Sequence, residues 1–187
     1  MQITPYTEVN AGLMVPGSTD YLSSADNRGY SVGIDLGINI DETKSFGFSF
    51  NYIKDGFDNE VQMKNVLNKS DNTETIQGST SSIFSVGIIT RATNTTLIDF
   101  IHPYAKFFFG YSYVKVAGFN NGNIIVPNMN EVDENHFTVM FAFGLLIPVS
   151  KYFSGFGIEG NYNIFMKQKE YKQIFSVKFL YRYNINL

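Results

Sequence analysis

The chain of 187 residues contains no cysteine and no tryptophan. The missing thiols exclude disulfide scaffolds, cysteine-ligated structural zinc and thiol catalysis. Charge is scarce as well: charged residues make up 17% and the formal net charge is −3. With no basic block, that balance argues against nucleic acid as a partner. Long apolar runs are also absent. The longest are a handful of residues, far short of the roughly 18 that a membrane helix needs. The opening Met1-Gln2-Ile3-Thr4-Pro5 has neither the basic patch nor the apolar stretch of a secretory signal. If the protein is exported, the expectation is a signal peptide already removed.

What is abundant is aromatic: 18 Phe and 12 Tyr, accompanied by 16 Gly. These residues recur with a period of two. In Tyr30-Ser-Val-Gly-Ile-Asp-Leu-Gly-Ile-Asn-Ile40 every even residue is bulky and apolar, and the odd ones are Ser31, Gly33, Asp35, Gly37 and Asn39. A helix would scatter the two sets around its circumference, whereas a strand sends them to opposite faces. The same alternation returns in Phe46–Tyr52, Phe137–Leu145, Phe156–Ile164 and Phe175–Leu187. No segment carries a helical period, so the chain is all-β.

Placed by this rule, eight strands fall at about 4–15, 30–40, 46–54, 82–92, 101–117, 136–147, 153–165 and 171–187. The connections 16–29, 54–81, 118–135 and 166–171 form one set, and the tight 41–45, 93–100 and 148–152 form the other. In an up-and-down meander alternate connections share an end. One end therefore carries long polar loops, and the other carries short turns and both termini. The expected unit is a single barrel domain over residues 1–187.

An even-stranded meander can close around an apolar ligand or inside a membrane, and these demand opposite polarity. Size decides between them. The apolar face collects Val9, Leu13, Val32, Ile34, Leu36, Phe46, Phe48, Phe50, Phe84, Val86, Phe107, Phe109, Tyr111, Phe137, Phe141, Phe143, Tyr162, Phe175 and Phe179, among others. An eight-stranded barrel has an interior just wide enough for side chains to fill, and this set would overfill it. The opposite face, of Gly, Ser, Asn, Thr and a few charges, would fit. The apolar face must point outward, where it far exceeds what a soluble monomer exposes and suits the apolar band of a transmembrane barrel. Tyr6, Tyr30, Tyr52, Tyr111, Tyr113, Tyr152, Tyr181 and Tyr183, near strand ends, are expected in the interfacial girdles. A lipocalin-like carrier would need the reverse polarity and, without Trp, lacks that family's Gly-x-Trp start.

At this point the chain resembles the small eight-stranded outer-membrane β-barrels of Gram-negative bacteria, the OmpA/OmpX-like group. The resemblance lies in pattern and topology. His102-Pro-Tyr-Ala-Lys-Phe-Phe-Phe-Gly-Tyr-Ser-Tyr113 looks like a Pro-Tyr-opened, Gly-containing strand of that group. The alternating C-terminal strand resembles the signal read by the barrel-insertion machinery, although it ends in Leu187 and not in an aromatic. The resemblance implies an integral outer-membrane location, contact with outer-membrane lipids and lipopolysaccharide, and no cofactor.

On the inward face stand Glu8, Asp35, Arg91, Lys106, Glu159, Lys178 and Arg182. Unpaired charges there would each cost several kcal/mol, so an interior salt-bridge network is expected, with Asn10, Asn51, Asn161 and Asn163 filling in. A structural plug that locks the barrel is favoured over a gated proton or ion path. Gly155-Phe-Gly157-Ile-Glu-Gly160 spells a dinucleotide fingerprint but sits within a strand pattern with no helix after it. Asn68-Lys-Ser70 and Asn94-Thr-Thr96 are glycosylation sequons in spelling only.

Two functional classes remain. One is a non-enzymatic anchor or interaction scaffold acting through the long loops 16–29, 54–81 and 118–135, alone or as an accessory subunit of a larger outer-membrane complex. Phe57, Val61, Met63, Val66 and Leu67 would then offer a docking surface. The other is a lipid A-modifying barrel, since the lipid A deacylases carry a His-x-Ser pair with a Glu nearby. His136-Phe137-Thr138 and Glu159 resemble that set, but Thr138 replaces the nucleophilic Ser. A rim histidine is the favoured account of His136. Glu131, Asp133 and Glu134 suggest a loose divalent-ion site, for which a solvated loop is the simpler account.

Overall fold

A computed structural model describes residues 3–16, 29–54, 81–96, 100–116, 132–149, 154–167 and 170–185. Eight strands run in chain order: β1 (Thr4–Pro16), β2 (Gly29–Asn39), β3 (Lys44–Lys54), β4 (Ser81–Thr93), β5 (His102–Val116), β6 (Val132–Pro148), β7 (Gly155–Lys167) and β8 (Glu170–Asn184). Each pairs antiparallel with its neighbours, and β1 pairs with β8 to close the barrel. The loop residues Phe57, Val61, Met63, Val66 and Leu67 lie outside the described residues, as do 17–28, 55–80 and 117–131.

Closure has a fixed stagger. Following the pairing from Glu8 through Asp35, Ser49, Gly87, Gly110, Thr138 and Phe165 arrives at Lys172 on β8. The β8 residue opposite Glu8 is Arg182, ten residues further along. That offset is the shear of the barrel, and it obliges the strands to tilt.

The alternation resolves as outward apolar and inward mostly polar. Phe48, Phe143, Phe156, Phe179 and Leu13 are exposed on the outer face. Edge-to-face aromatic pairs join β5 and β6 there, with ring centroids 5.2 Å apart for Phe107–Phe141 and 4.4 Å apart for Phe109–Phe137. The tight turns follow from single side chains. Asp41 Oδ1 accepts from Thr43 N (2.7 Å), Thr43 Oγ1 (2.8 Å) and Lys44 N (2.8 Å), which closes the β2–β3 turn. Asn94 Oδ1 accepts from Thr96 N at 3.0 Å and Thr96 Oγ1 at 3.1 Å, so this sequon is a turn device.

The structure adds to or changes the sequence reading at three points. First, the interior, polar and charged as expected, also holds apolar side chains. Met14, Ile53, Ile83, Val114, Phe165 and Ile174 form a buried apolar cluster toward the long-loop end. Ile89, Phe108, Met140 and Ala142 form a second, and Tyr104, Leu146 and Leu180 a third. The Phe108 ring fits because Gly87 and Gly110, paired across β4 and β5, have no side chains: a Cβ on Gly110 would lie 2.8 Å from it. Second, Tyr6 is buried in the lumen and is absent from the outer girdle. Third, β6 begins at Val132, so Asp133 and Glu134 are strand residues on opposite faces and do not converge on an ion. Glu131 is outside the described residues. The glycine fingerprint lies wholly within β7.

Candidate functional site: the charged lumen and the long-loop rim

Alternation on six strands delivers three carboxylates and three cations to one level of the lumen: Glu8 on β1, Asp35 on β2, Arg91 on β4, Lys106 on β5, Glu159 on β7 and Arg182 on β8. All six are buried. Arg91 Nη2 lies 2.6 Å from each carboxylate oxygen of Glu8 and 3.9 Å from Glu159 Oε2. Lys106 is the hub. Its Nζ sits 3.3 Å from Glu8, 3.2 Å from Asp35 and 2.7 Å from Glu159. Arg182 Nη1 is 3.8 Å from Glu8 Oε2, and its Nη2 donates a short hydrogen bond to Asn39 Oδ1. Ser49 Oγ donates to Asp35 at 2.5 Å, and Tyr104 Oη donates to Glu159 at 2.9 Å.

Two tyrosines add flat faces for the guanidiniums. Arg91 stacks 4.1 Å over the Tyr104 ring centroid, and Arg182 stacks 3.8 Å over that of Tyr6. The inward parity of Tyr6 with Glu8, and of Tyr104 with Lys106, is the signal that could have placed them. The seventh inward charge, Lys178, stands apart. Its Nζ donates to Asn51 Oδ1 at 2.9 Å, and among the described residues it forms no ion pair. Of the four asparagines, Asn51 also donates to Ser49 Oγ at 2.7 Å, and Asn163 donates to the Ile174 carbonyl at 3.5 Å. Asn10 Oδ1 and both polar side-chain atoms of Asn161 have no hydrogen-bond partner.

Near the long-loop end, His136 faces inward and is only 2% exposed. Its Nε2 lies 3.0 Å from Glu134 Oε2, and Lys167 Nζ donates to Glu134 Oε1 at 2.7 Å. Thr138 is joined through Ser112 to Ser85 by hydroxyl contacts of 2.6 Å each. Glu159, held by Lys106 and Tyr104, belongs to the ring. His136, Thr138 and Glu159 therefore form no triad. All three point into the lumen and away from the exposed apolar face of the same strands. Among the described residues no group of three His, Asp or Glu side chains could hold a metal ion.

A closed eight-stranded antiparallel barrel, apolar outside and charged within, has the fold of the small outer-membrane barrels. Comparison with solved structures agrees. The chain is similar to Neisserial surface protein A (13% identity, TM-score 0.66, covering 97% of this chain and 98% of that one). It is also similar to Ail, the attachment invasion locus protein of Yersinia pestis (14% identity, TM-score 0.53, 98% and 100% covered), which has been solved with the heparin analogue sucrose octasulfate as well. The outer membrane enzyme PagL has the same fold (13% identity, TM-score 0.53, 95% and 99% covered). No family model and no curated protein sequence matches the chain.

Proposed function

We propose that the protein is an integral outer-membrane barrel without enzymatic activity, a structural anchor or interaction scaffold that works through its long extracellular loops, alone or as an accessory subunit of a larger complex. Outer-membrane lipids and lipopolysaccharide surround the barrel. The observation that carries this reading is the content of the lumen. The ionic ring engages six of the seven inward charges with one another and the apolar cluster above it fills the lumen, which supports the loops as the part that meets a partner. Short turns at one end and long connections at the other orient the loops outward from the cell.

The loop sequences also bear on what they meet. Residues 17–28, 55–80 and 117–131 contain Asp20, Asp26, Asp55, Asp58, Glu60, Asp71, Glu74 and Glu131 against Arg28, Lys64 and Lys69, a net charge of −5. A sulfated polyanion of the kind bound to Ail is a poor electrostatic match for them. A protein surface receiving Phe57, Val61, Met63, Val66 and Leu67 is a better one. The test is a detergent pull-down from native outer membranes with the barrel tagged at its short-turn end. A stoichiometric partner that is lost when residues 55–80 are replaced by a short turn supports the reading. Lipid A of altered mass that reverts in His136→Ala cells would overturn it in favour of a lipid A-modifying enzyme.

A further inference from the structure

The ionic ring is balanced, three carboxylates against three cations, and Lys178 is a fourth buried cation, which pairs with Glu159 in the β7–β8 register but whose Nζ is bonded to Asn51 and to no carboxylate among the described residues. Its level is clear from the strands. On β8 it lies midway between Arg182 of the ring and Ile174 of the apolar cluster. Asn161 lies between Glu159 and Phe165 on β7, and Asn10 between Glu8 and Met14 on β1. Ser31 joins them through the register, since Lys178 pairs with Gly12 and Gly12 with Ser31. Ser176 pairs with Asn161. Gly12, opposite Lys178 in the register, has no side chain at this level, and the Lys178 ammonium reaches Asn51 on β3. Phe108 and Met140 line the opposite wall next to the ring.

Ser31 Oγ, Ser176 Oγ and the Asn161 amide are buried with no hydrogen-bond partner. Buried polar groups of this kind are normally satisfied, and an isolated buried ammonium is unfavourable without a counter-charge. The neighbouring carboxylate, Glu159, is held toward the ring by Lys106 and Tyr104. This stretch of lumen is faced by one ammonium, the Ser31 and Ser176 hydroxyls and the Asn161 amide, together with the side-chain oxygens of Asn10 and Asn51, between the ring on one side and the apolar cluster on the other.

We propose that this compartment binds a compact monovalent anion, chloride under ordinary conditions, held by the Lys178 ammonium with donors from Asn161, Ser31 and Ser176. Because both ends of the compartment are filled, the ion enters as the barrel closes and not through the finished wall. The test is a crystal structure of protein refolded in bromide, with diffraction recorded at the bromine edge. An anomalous peak within hydrogen-bonding distance of Lys178 Nζ, absent in Lys178→Met, is expected. In solution, refolding in chloride at ten times its dissociation constant should raise the folding equilibrium constant about elevenfold over gluconate, and the variant should show no difference. No peak in the wild type, whether Nζ stays on Asn51 or turns onto Glu159, would overturn the proposal, as would an equal chloride response in both proteins. Should the variant not fold, the wild-type bromide map decides alone.

Discussion

Lys106 is the point at which the lumen is most sensitive, because its single ammonium lies within 3.3 Å of three carboxylates on three strands. Replacing it with Met keeps the length of the chain and removes the charge. Glu8 retains Arg91 at 2.6 Å and Glu159 retains the Tyr104 hydroxyl, but Asp35 is left with Ser49 alone. Removing one partner of a buried ion pair costs about 3–5 kcal/mol, chiefly because the other charge stays buried and uncompensated. With a urea slope of about 1–3 kcal/mol per M, the unfolding midpoint of Lys106→Met should fall by roughly 1 M or more. Adding Asp35→Asn removes the stranded charge and should recover much of the loss, with a coupling energy on the order of 1–3 kcal/mol. The assay is urea unfolding in detergent micelles, followed by far-UV circular dichroism and by the gel-mobility difference between folded and unfolded barrel, since the chain has no Trp to report fluorescence. A Lys106→Met barrel within about 0.5 kcal/mol of wild type would refute the hub role, and so would additive destabilisation by the second substitution.

Other consequences are as direct. Phe108→Ala, emptying the space that Gly87 and Gly110 leave, should cost about 3–5 kcal/mol by the same assay. Arg in place of Phe48, exposed on the outer face near the middle of β3, should destabilise the barrel in lipid vesicles by about 2–4 kcal/mol, and in place of Tyr113 near the loop rim by about 1 kcal/mol or less. The Asp41 carboxyl accepts hydrogen bonds from the Thr43 hydroxyl and from the backbone, which lower its pKa. A lowered folded-state pKa means the turn is supported above the ordinary carboxyl range and loses that support as pH falls through the lowered value. A carboxyl-carbon NMR titration should therefore find Asp41 titrating below an unstructured Asp, and Thr43→Ala should raise it. In planar bilayers the purified barrel should show no porin-scale conductance, because Phe165, Ile174 and their neighbours fill the lumen.

The period-two pattern made strand number, closure and the outward apolar face legible, because each follows from alternation and from the limited room inside eight strands. The same parity placed all seven inward charges on the lumen side. It could not say which of them meet. Glu8 contacts residues 83 and 98 positions away, a distance set by shear and side-chain reach and not by spacing in the sequence. The inward aromatics were harder. Phe108 sits within Phe107-Phe-Phe109, where the alternation disappears, and its place is marked only by glycines on its own and a neighbouring strand. Tyr6 was misread because a tyrosine near a strand end suits an interfacial girdle and a guanidinium stack equally well. The early start of β6 was hidden by Asp133, Glu134 and Asn135, which look like loop but pair with Lys115, Val114 and Tyr113.

The ring draws its six charges from β1, β2, β4, β5, β7 and β8, and Glu8 on the first strand finds its partners on the fourth, fifth and last. Each half-sheet holds one pair, Glu8–Arg91 in β1–β4 and Lys106–Glu159 in β5–β8, but neither half is neutral: the ring charges sum to −1 in the first four strands and +1 in the last four. The contacts that balance the halves, Lys106 with Glu8 and Asp35 and Arg182 with Glu8, form only when the sheet closes. The balancing part of the electrostatics arrives at the final step, which penalises open intermediates and incorrect strand registers alike. Assembly of such a wall approaches an all-or-none event, and the energy that locks the finished barrel also proofreads its closure.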